Sequence, residues 1–352
     1  MTIMIDRRQT LTGLAAAGLG AAGLGAAGLG AAGLGAAGLG AAGILSPGIL
    51  RAQGAYPGSR TVRLVVPFPP AGATDIIARL WAEKLGQLWG SNLVVENKPG
   101  AGGNIGAEQV ARGEQDGSQL LIVSVGMATN QYLYPKLNYD PVADFKPVSL
   151  LALVPNLLVV GNHVQARTVP DLIAFAKANP GKLTYGSSGV GTSVHLSGEL
   201  FKKLTGTDMV HLPYRGTAQA TQDLIGGRID LIFDNITQAM GHVRGGSIRA
   251  LGITTAKRSP VAPEFAPVAE SVPGFDVSSW FAIFAPKGTP DDVVARLHAD
   301  TVKVMADAQV KERMATLGAE IVAGTPADLG SFLKSEMDKW GKLITDAGIK
   351  AG

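Results

Sequence analysis

VRLVVPFPPAGATD, from Val62 to Asp75, and YGSSGVGTSVHLSGELF, from Tyr185 to Phe201, each read as a β run that stops in small residues and then opens a helix. In the first, an apolar run (Val62 to Val66) meets prolines and Gly72, which cannot continue a strand, and a helix follows whose first N–H groups have no partner within the helix. Ala71, Gly72 and Ala73 leave the backbone there open to a ligand, where larger side chains would obstruct it. A helix start of this kind holds anions without catalysing anything. Two such starts facing each other would clasp a carboxylated small molecule.

Strand-like and helical patterns alternate outward from these stretches. Val62 to Val66 precedes Ile76 to Leu88, Leu93 to Glu96 precedes Asn104 to Ala111, and Gln119 to Ser124 precedes a short helix near Asn130. Such alternation signals a parallel α/β sheet. In the first helix Ile76, Ile77, Leu80, Trp81, Leu85 and Leu88 recur at steps of three and four, placing one apolar stripe against that sheet. Val148 to Val160 is an apolar run too long for one ordinary strand and broken at Pro155, as expected where a chain crosses from one domain to another. The alternation then restarts through Leu183 to Gly186, Met209 to Leu212, Ile229 to Phe233 and Ile248 to Thr254. A second run, Ser279 to Ala285, leads into Lys287-Gly288-Thr289-Pro290-Asp291, where Thr289 and Pro290 fit the cap and first position of a helix, as Thr168 and Pro170 do earlier. The expected organisation is lobe 1 at 55–155 plus 279–352 and lobe 2 at 156–278, the C-terminal helices completing lobe 1.

The N-terminus is different in kind. From Gln9 to Leu50 no residue is charged, and Ala16 to Gly40 is AAGLG five times over, directly after Arg7-Arg8. Residues 1–54 read as an export leader of the twin-arginine kind, removed from the mature protein. The competing reading is a retained membrane anchor, since about 20 apolar residues span a bilayer. The Gly content argues for the leader, because Gly is a poor helix former and only weakly apolar. Without Arg7, Arg8, Arg51 and Asp6 the net charge of +3 falls to +1. That balance, with no basic block, disfavours nucleic acid as a partner. The 352 residues contain no Cys, which excludes disulfides, thiolate metal sites and cysteine nucleophiles.

Candidate site residues cluster at the ends of the strand-like runs, where open α/β sheets bind ligands. Thr74 and Asp75 start the first helix, and Asp75 either caps it or meets the ligand. Ser187, Ser188, Gly191, Thr192 and Ser193 form a loop of hydroxyls and bare amides before a helix carrying His195. A serine nucleophile with His195 as base is the rival reading, but Gly186-Ser187-Ser188-Gly189 is not the G-x-S-x-G elbow and no acid stands to orient the imidazole. His195 reads instead as a structural or ligand-facing hydrogen-bonder. Arg215 is placed either to fork to a carboxylate or to make a surface ion pair. Asp234, Ser124 and Asn130 end or follow other strands. Gly100 to Gly106 misses the dinucleotide spacing and reads as a helix start; no metal or cofactor motif occurs.

With these residues in view, the chain resembles the substrate-binding proteins of tripartite tricarboxylate transporters, the Bug or TctC family. The likeness runs through VRLVVPFPPAGATDIIAR, VVENKPGAGGNIGAE, LLALVPNLLVV, GSSGVGTSVHLSGELF, VHLPYRGTAQATQDLIGGRIDLIFD and WFAIFAPKGTP. Ala71 stands where a family glycine is usual, and Ser271 to Phe275 is slightly compressed. The resemblance implies an α/β, type II periplasmic-binding-protein-like fold of two lobes, each a mixed sheet flanked by helices, with the ligand cleft between them. It implies a periplasmic, monomeric, non-enzymatic receptor that needs no cofactor and delivers a small organic carboxylate, whether a di- or tricarboxylate, an amino acid or an aromatic acid, to membrane permease subunits; the other reading of the same fold is a solute sensor that presents its closed form to a signalling partner. Its first-loop contacts fall on Phe68, Ala73, Thr74 and Asp75, its second pincer on Ser187, Ser188, Gly191, Thr192, Ser193 and His195. Tyr214, Arg215, Asp234, Thr129 and Asn130 are looser carry-overs.

Overall fold

The computed structural model describes residues 56–91 and 93–351, so the leader at 1–54 lies outside the described residues. Three β/α units come first: β1 (Val62–Val66) and α1 (Ala73–Trp89), β2 (Leu93–Asn97) and α2 (Asn104–Ala111), β3 (Gln119–Val123) and α3 (Gly126–Leu133). β4 is one long strand, Phe145–Gly161. After it come α4 (Val169–Ala178), β5 (Thr184–Ser187), α5 (Ser193–Thr205), β6 (Val210–Pro213), α6 (Thr217–Ile225), β7 (Leu231–Asn235), α7 (Ile236–Arg244) and β8 (Ile248–Ile253). β9 (Ser278–Pro286), α8 (Asp291–Ala306), α9 (Ala308–Thr316), β10 (Glu320–Ile321) and α10 (Pro326–Asp346) complete the chain.

The strands follow the order β2-β1-β3-β9-β4-β7-β5-β6, with β8 and β10 also paired to β4. β1 pairs in parallel with β2 and β3, and β5 in parallel with β6 and β7; β9 and β4 run antiparallel to their neighbours. β4 changes partners midway. Phe145 to Pro155 faces β9, whereas Asn156 to Val160 faces β7, and Leu157 to Gly161 faces β8 on the other edge. Pro155, with no N–H to give, stands at the changeover. The Asn156 side chain sits among Ser197, Asn235 and Ser279, a buried polar knot where β4, α5, β7 and β9 meet.

Sequence pattern accounts for the helices. Ile77, Trp81 and Leu85 of α1 are buried as the stripe requires, whereas Leu88, at the end of that stripe, is exposed because the helix outruns the sheet beneath it. α4 and α10 open with capping boxes, Thr168 with Asp171 and Thr325 with Asp328, each with a proline in the first turn. The expected cap at Thr289 is corrected: Pro290 occupies the N-cap of α8, and the buried Thr289 hydroxyl is left without a partner. Two apolar clusters form the core, and each mixes residues from both halves of the strand order: Leu64 with Ile232 in one, Leu121 with Phe233 in the other.

The return strand β9 is anchored from outside. Glu336 on α10 is buried, and its Oε2 accepts from Trp280 Nε1 at 2.8 Å and from Trp340 Nε1 at 2.7 Å. Glu336→Ala strands two buried indole donors, each worth about 1–3 kcal/mol, so denaturant unfolding should show a loss of about 2–4 kcal/mol, with Glu336→Gln losing clearly less.

A candidate ligand cavity at the strand ends

The turns that follow β1, β3, β5, β6 and β7 meet around one cavity of about 280 Å³. Its walls are residues 68–74, Gly102 from the turn after β2, 124–126, 188, 190–193 and 215–219, together with Asn235 and Gln238; Ser279 and Phe281 of β9 also line it. Five helices therefore start at its edge. Among the described residues no side chain caps α1, α3, α6 or α7; the first amides of α1, α6 and α7 remain free for another acceptor, whereas in α3 the Met127 and Ala128 N–H groups turn back to the Ser124 and Val125 carbonyls and only that of Gly126 is open. Each such terminus carries roughly +0.5 of a charge. Among the described residues Arg215 is the one charged side chain in the lining, and no carboxylate joins it. The cavity is thus electropositive, with apolar patches from Phe68, Pro69, Val125, Val190 and Phe281.

Asp75 braces the first loop from behind. Its carboxylate accepts from the Ala71 N–H at 3.0 Å, Arg79 Nε at 3.0 Å and Asn97 Nδ2 at 2.8 Å. Burial opposes its charge, but hydrogen bonds from Arg79, Ala71 and Asn97 outweigh that and hold it below the usual carboxylate range. The same contacts hold Ala71 at φ 65°, a left-handed conformation that glycine adopts freely and alanine does not. With three donors on it, Asp75 is occupied by the protein and does not line the cavity.

Two imidazoles brace the second loop. His195 Nδ1 accepts from the Gly191 N–H at 3.2 Å, while His211 Nε2 lies 2.7 Å from the Ser187 hydroxyl, which in turn accepts from the Gly189 N–H at 3.1 Å. The two rings stack 4.0 Å apart, with Tyr185 stacked 4.8 Å from His211. Burial, then the nearby Lys202, pulls His195 down to about 4; burial, then His195 itself, takes His211 to about 3. Both are neutral at pH 7. Gly191 needs its conformation, φ 81°, and its bareness: a Cβ would lie 2.2 Å from Leu133 Cδ1. Thr129 Oγ1 donates to the Gly191 carbonyl at 3.1 Å, joining α3 to this loop.

Of the residues expected at the site, Phe68, Ala73, Thr74, Ser124, Ser188, Gly191, Thr192, Ser193 and Arg215 line the cavity. Asp75, Thr129, Asn130, Ser187, His195, Tyr214 and Asp234 do not. Asn130 Nδ2 donates to the Gly102 carbonyl at 3.0 Å, the Tyr214 hydroxyl donates to Asp223 at 2.8 Å, and Asp234 is buried beneath the start of α6. The nucleophile reading fails on geometry. Ser187 is fully buried outside the lining, and its partner is His211 rather than His195, whose Nδ1 already holds an amide. Sequence reasoning missed Thr217, Ala218, Gln219 and Gln238. Gly216 before α6 was the available signal, another small residue between a strand and a helix.

Residues 77–349 match the family described as "Tripartite tricarboxylate transporter family receptor". Among solved structures the chain is similar to Rpa4515 of R. palustris, determined with adipate, at 39% identity and a TM-score of 0.80, covering 83% of this chain and 99% of that one. It is similar to the periplasmic binding protein BugD at 35% identity and a TM-score of 0.77, over 83% and 98% of the two chains. MatC of Rhodopseudomonas palustris, with bound malate, matches at 32% identity and a TM-score of 0.75, over 81% and 99%.

The braces make two predictions. Gly191→Ala combines left-handed backbone strain with a clash against Leu133, and thermal melting should register a destabilisation of about 1 kcal/mol or more. His195, depressed in the folded protein, binds fewer protons than in the unfolded chain between pH 6.5 and about 4, so its contribution to stability falls as pH drops through that window. The wild type should therefore lose its stability advantage over His195→Asn on acidification from pH 6.5 towards 4; a gap that stays constant would show that the imidazole is not held neutral.

Proposed function

The chain belongs to the tripartite tricarboxylate transporter receptor family, whose members are solute receptors and not enzymes, and we propose that it grips a small organic dicarboxylate in the cavity at its strand ends and delivers it to a membrane permease. The observation that carries this reading is the convergence of five helix starts and Arg215 on a cavity lined by no carboxylate. Similarity to proteins solved with adipate and with malate supports the dicarboxylate class. An ammonium group would find no counter-charge, because Asp75 is fully engaged and Asp234 lies behind the wall, so amino acids are poor ligands. The apolar patches suit the methylene chain between two acidic ends.

The direct contacts in this reading come from the amides of Ala73, Thr74 and Ser193, the hydroxyls of Ser124 and Ser188, the Gly191 backbone, Phe68 and Arg215, while the Thr192 and Ser193 hydroxyls are spent on Gly189 and Ser279. Asp75, Thr129, Asn130, Ser187, His195, Tyr214 and Asp234 act behind them by fixing loop shape. A helix terminus contributes roughly 0.3–2 kcal/mol and a hydrogen bond to a charge roughly 1.5–3, whereas micromolar affinity needs about 8. One wall alone falls short. Lobes at 55–155 plus 279–352 and at 156–278, hinged where β4 changes partners and where the chain returns into β9, would close on a ligand because only the closed form brings every donor to it. Membership of the receptor family supports export to the periplasm, and we infer that the receptor acts there as a monomer; among the described residues no helix is long and apolar enough to cross a membrane.

Isothermal calorimetry over a panel of dicarboxylates, monocarboxylates and amino acids tests the assignment, with a linear dicarboxylate expected to bind tightest and amino acids weakest. Arg215 is exposed, so screening limits its contribution, and Arg215→Ala should weaken the best ligand about tenfold. Small-angle scattering should show compaction on saturation with that ligand; an unchanged radius would refute hinge closure.

A further inference from the structure

We propose that seating an anion in the cavity is coupled to the uptake of one proton by Asp234, the buried acid beneath the start of α6. This rests on the carboxylate reading above and adds a protonation step to it. Asp234 ends β7, one residue before Asn235 in the cavity wall, and is 1% exposed. Its Oδ1 has no hydrogen-bond partner, while Oδ2 receives only a long bond, 3.4 Å, from the Thr221 hydroxyl. An ionised carboxylate so placed is poorly served. Burial accordingly raises its pKa to about 7, opposed only by the Asn235 amide and the Thr221 and Thr217 hydroxyls.

A chain of hydrogen bonds runs from this acid across the cavity. Thr217, which faces the carboxyl, donates to Gln238 Oε1, and Gln238 Nε2 donates to the Ala71 carbonyl at 3.3 Å on the opposing loop. Both donations point away from Asp234. A protonated Asp234 can donate to Thr217 and leave that hydroxyl's hydrogen for Gln238, so every step runs in one direction. An ionised Asp234 draws the Thr217 hydrogen to itself, and Gln238 loses its donor.

Elements packed against β7 carry other titratable groups: Arg244 is exposed in the last turn of α7, Lys203 of α5 pairs with Asp346, and the remainder are engaged elsewhere. His195 on α5 holds Gly191, Glu199 on α5 accepts from Tyr185 of β5 and from Lys202, Asp223 on α6 takes Tyr214 and Arg228, and His242 on α7 meets Ser247. The charge that Asp234 would sense is therefore the ligand's. An anion at the uncapped α6 amides disfavours a second negative charge behind them, so binding raises the proton affinity of Asp234 further.

Titration calorimetry with adipate in two buffers of different ionisation enthalpy reads the proton count directly. Adipate's first carboxyl titrates like a Glu side chain and its second about a unit higher, so from about pH 7 upward the ligand is a dianion and brings no protons of its own into the count. The wild type should take up a fraction of a proton near pH 7, up to about 0.5, and its Kd should rise with pH above 7, at most about tenfold per unit. Asp234→Asn should bind with no uptake and a flat Kd. Thr221→Val removes a donor to the ionised form and should move the pH of greatest uptake upward, a displacement that loss of packing alone does not produce. Binding without uptake in the wild type between pH 6 and 8, uptake persisting in Asp234→Asn, or an unmoved maximum in Thr221→Val would each overturn the coupling and leave the carboxylate reading intact. No binding of adipate or malate at any pH would overturn that reading and the coupling together.

Discussion

Peptide N–H groups at the starts of helices that no side chain caps are the constraint on which the rest of this structure depends. A helix leaves its first amides unpaired, and in water the solvent satisfies them. Here α1, α3, α6 and α7 begin without a cap, and their starts, with that of α5, gather at one end of the strands. Within each of the sets β1–β3 and β5–β7 the parallel strands hand the chain to helices at the same end, and the two sets, antiparallel to each other through β9 and β4, point those ends at one another across the changeover in β4. The prolines, glycines and alanines of the turns keep those amides bare. An anion is the natural occupant of such a place, and the lack of any carboxylate in the lining leaves it no competitor from the protein.

Much of the polar chemistry near the cavity serves shape rather than contact. Asp75 binds three donors to hold the Ala71 turn, and the stacked, neutral His195 and His211 hold the Gly191 amide and the Ser187 hydroxyl. Placing acids and imidazoles one layer back has an electrostatic logic. A carboxylate in the lining would repel the ligand, whereas one behind the turn fixes the amides and has its charge neutralised by Arg79. The imidazoles, kept uncharged by burial, serve as hydrogen-bond partners, His195 to the Gly191 amide and His211 to the Ser187 hydroxyl, without adding a net charge that would have to be desolvated. Contacts between Thr129 and Gly191 and between Gln238 and Ala71 then bring opposite walls together.

Local chemistry was legible in the primary structure. The runs around Val62 to Asp75 and Tyr185 to Phe201 showed where strands hand over to helices; the periodic stripe on α1 showed its buried face, and Thr168 is the cap its pattern predicts, whereas Thr289 is not. Family resemblance extended that to a receptor fold for carboxylates, in agreement with the match over residues 77–349. Less legible was which polar side chain faces the cavity and which stands behind it. Asp75 and Thr74 are adjacent in sequence, yet Thr74 lines the cavity while Asp75 turns to Arg79 and Asn97. Ser187 and Ser188 divide in the same way, because successive positions at a strand end point to opposite faces.

The sequence by itself therefore determined the elements, the small-residue turns and the absence of thiol chemistry, since these follow from interactions within a few residues along the chain. Tertiary structure alone decided that α6 and α7 add Thr217 to Gln219 and Gln238 to the wall, that Ser187 pairs with His211, and that Asp234 is buried without a partner for Oδ1. Those outcomes depend on the order of strands in the sheet and on a β4 that changes partners between Pro155 and Asn156. Pairings between residues tens of positions apart set that order, and no local periodicity carries the information.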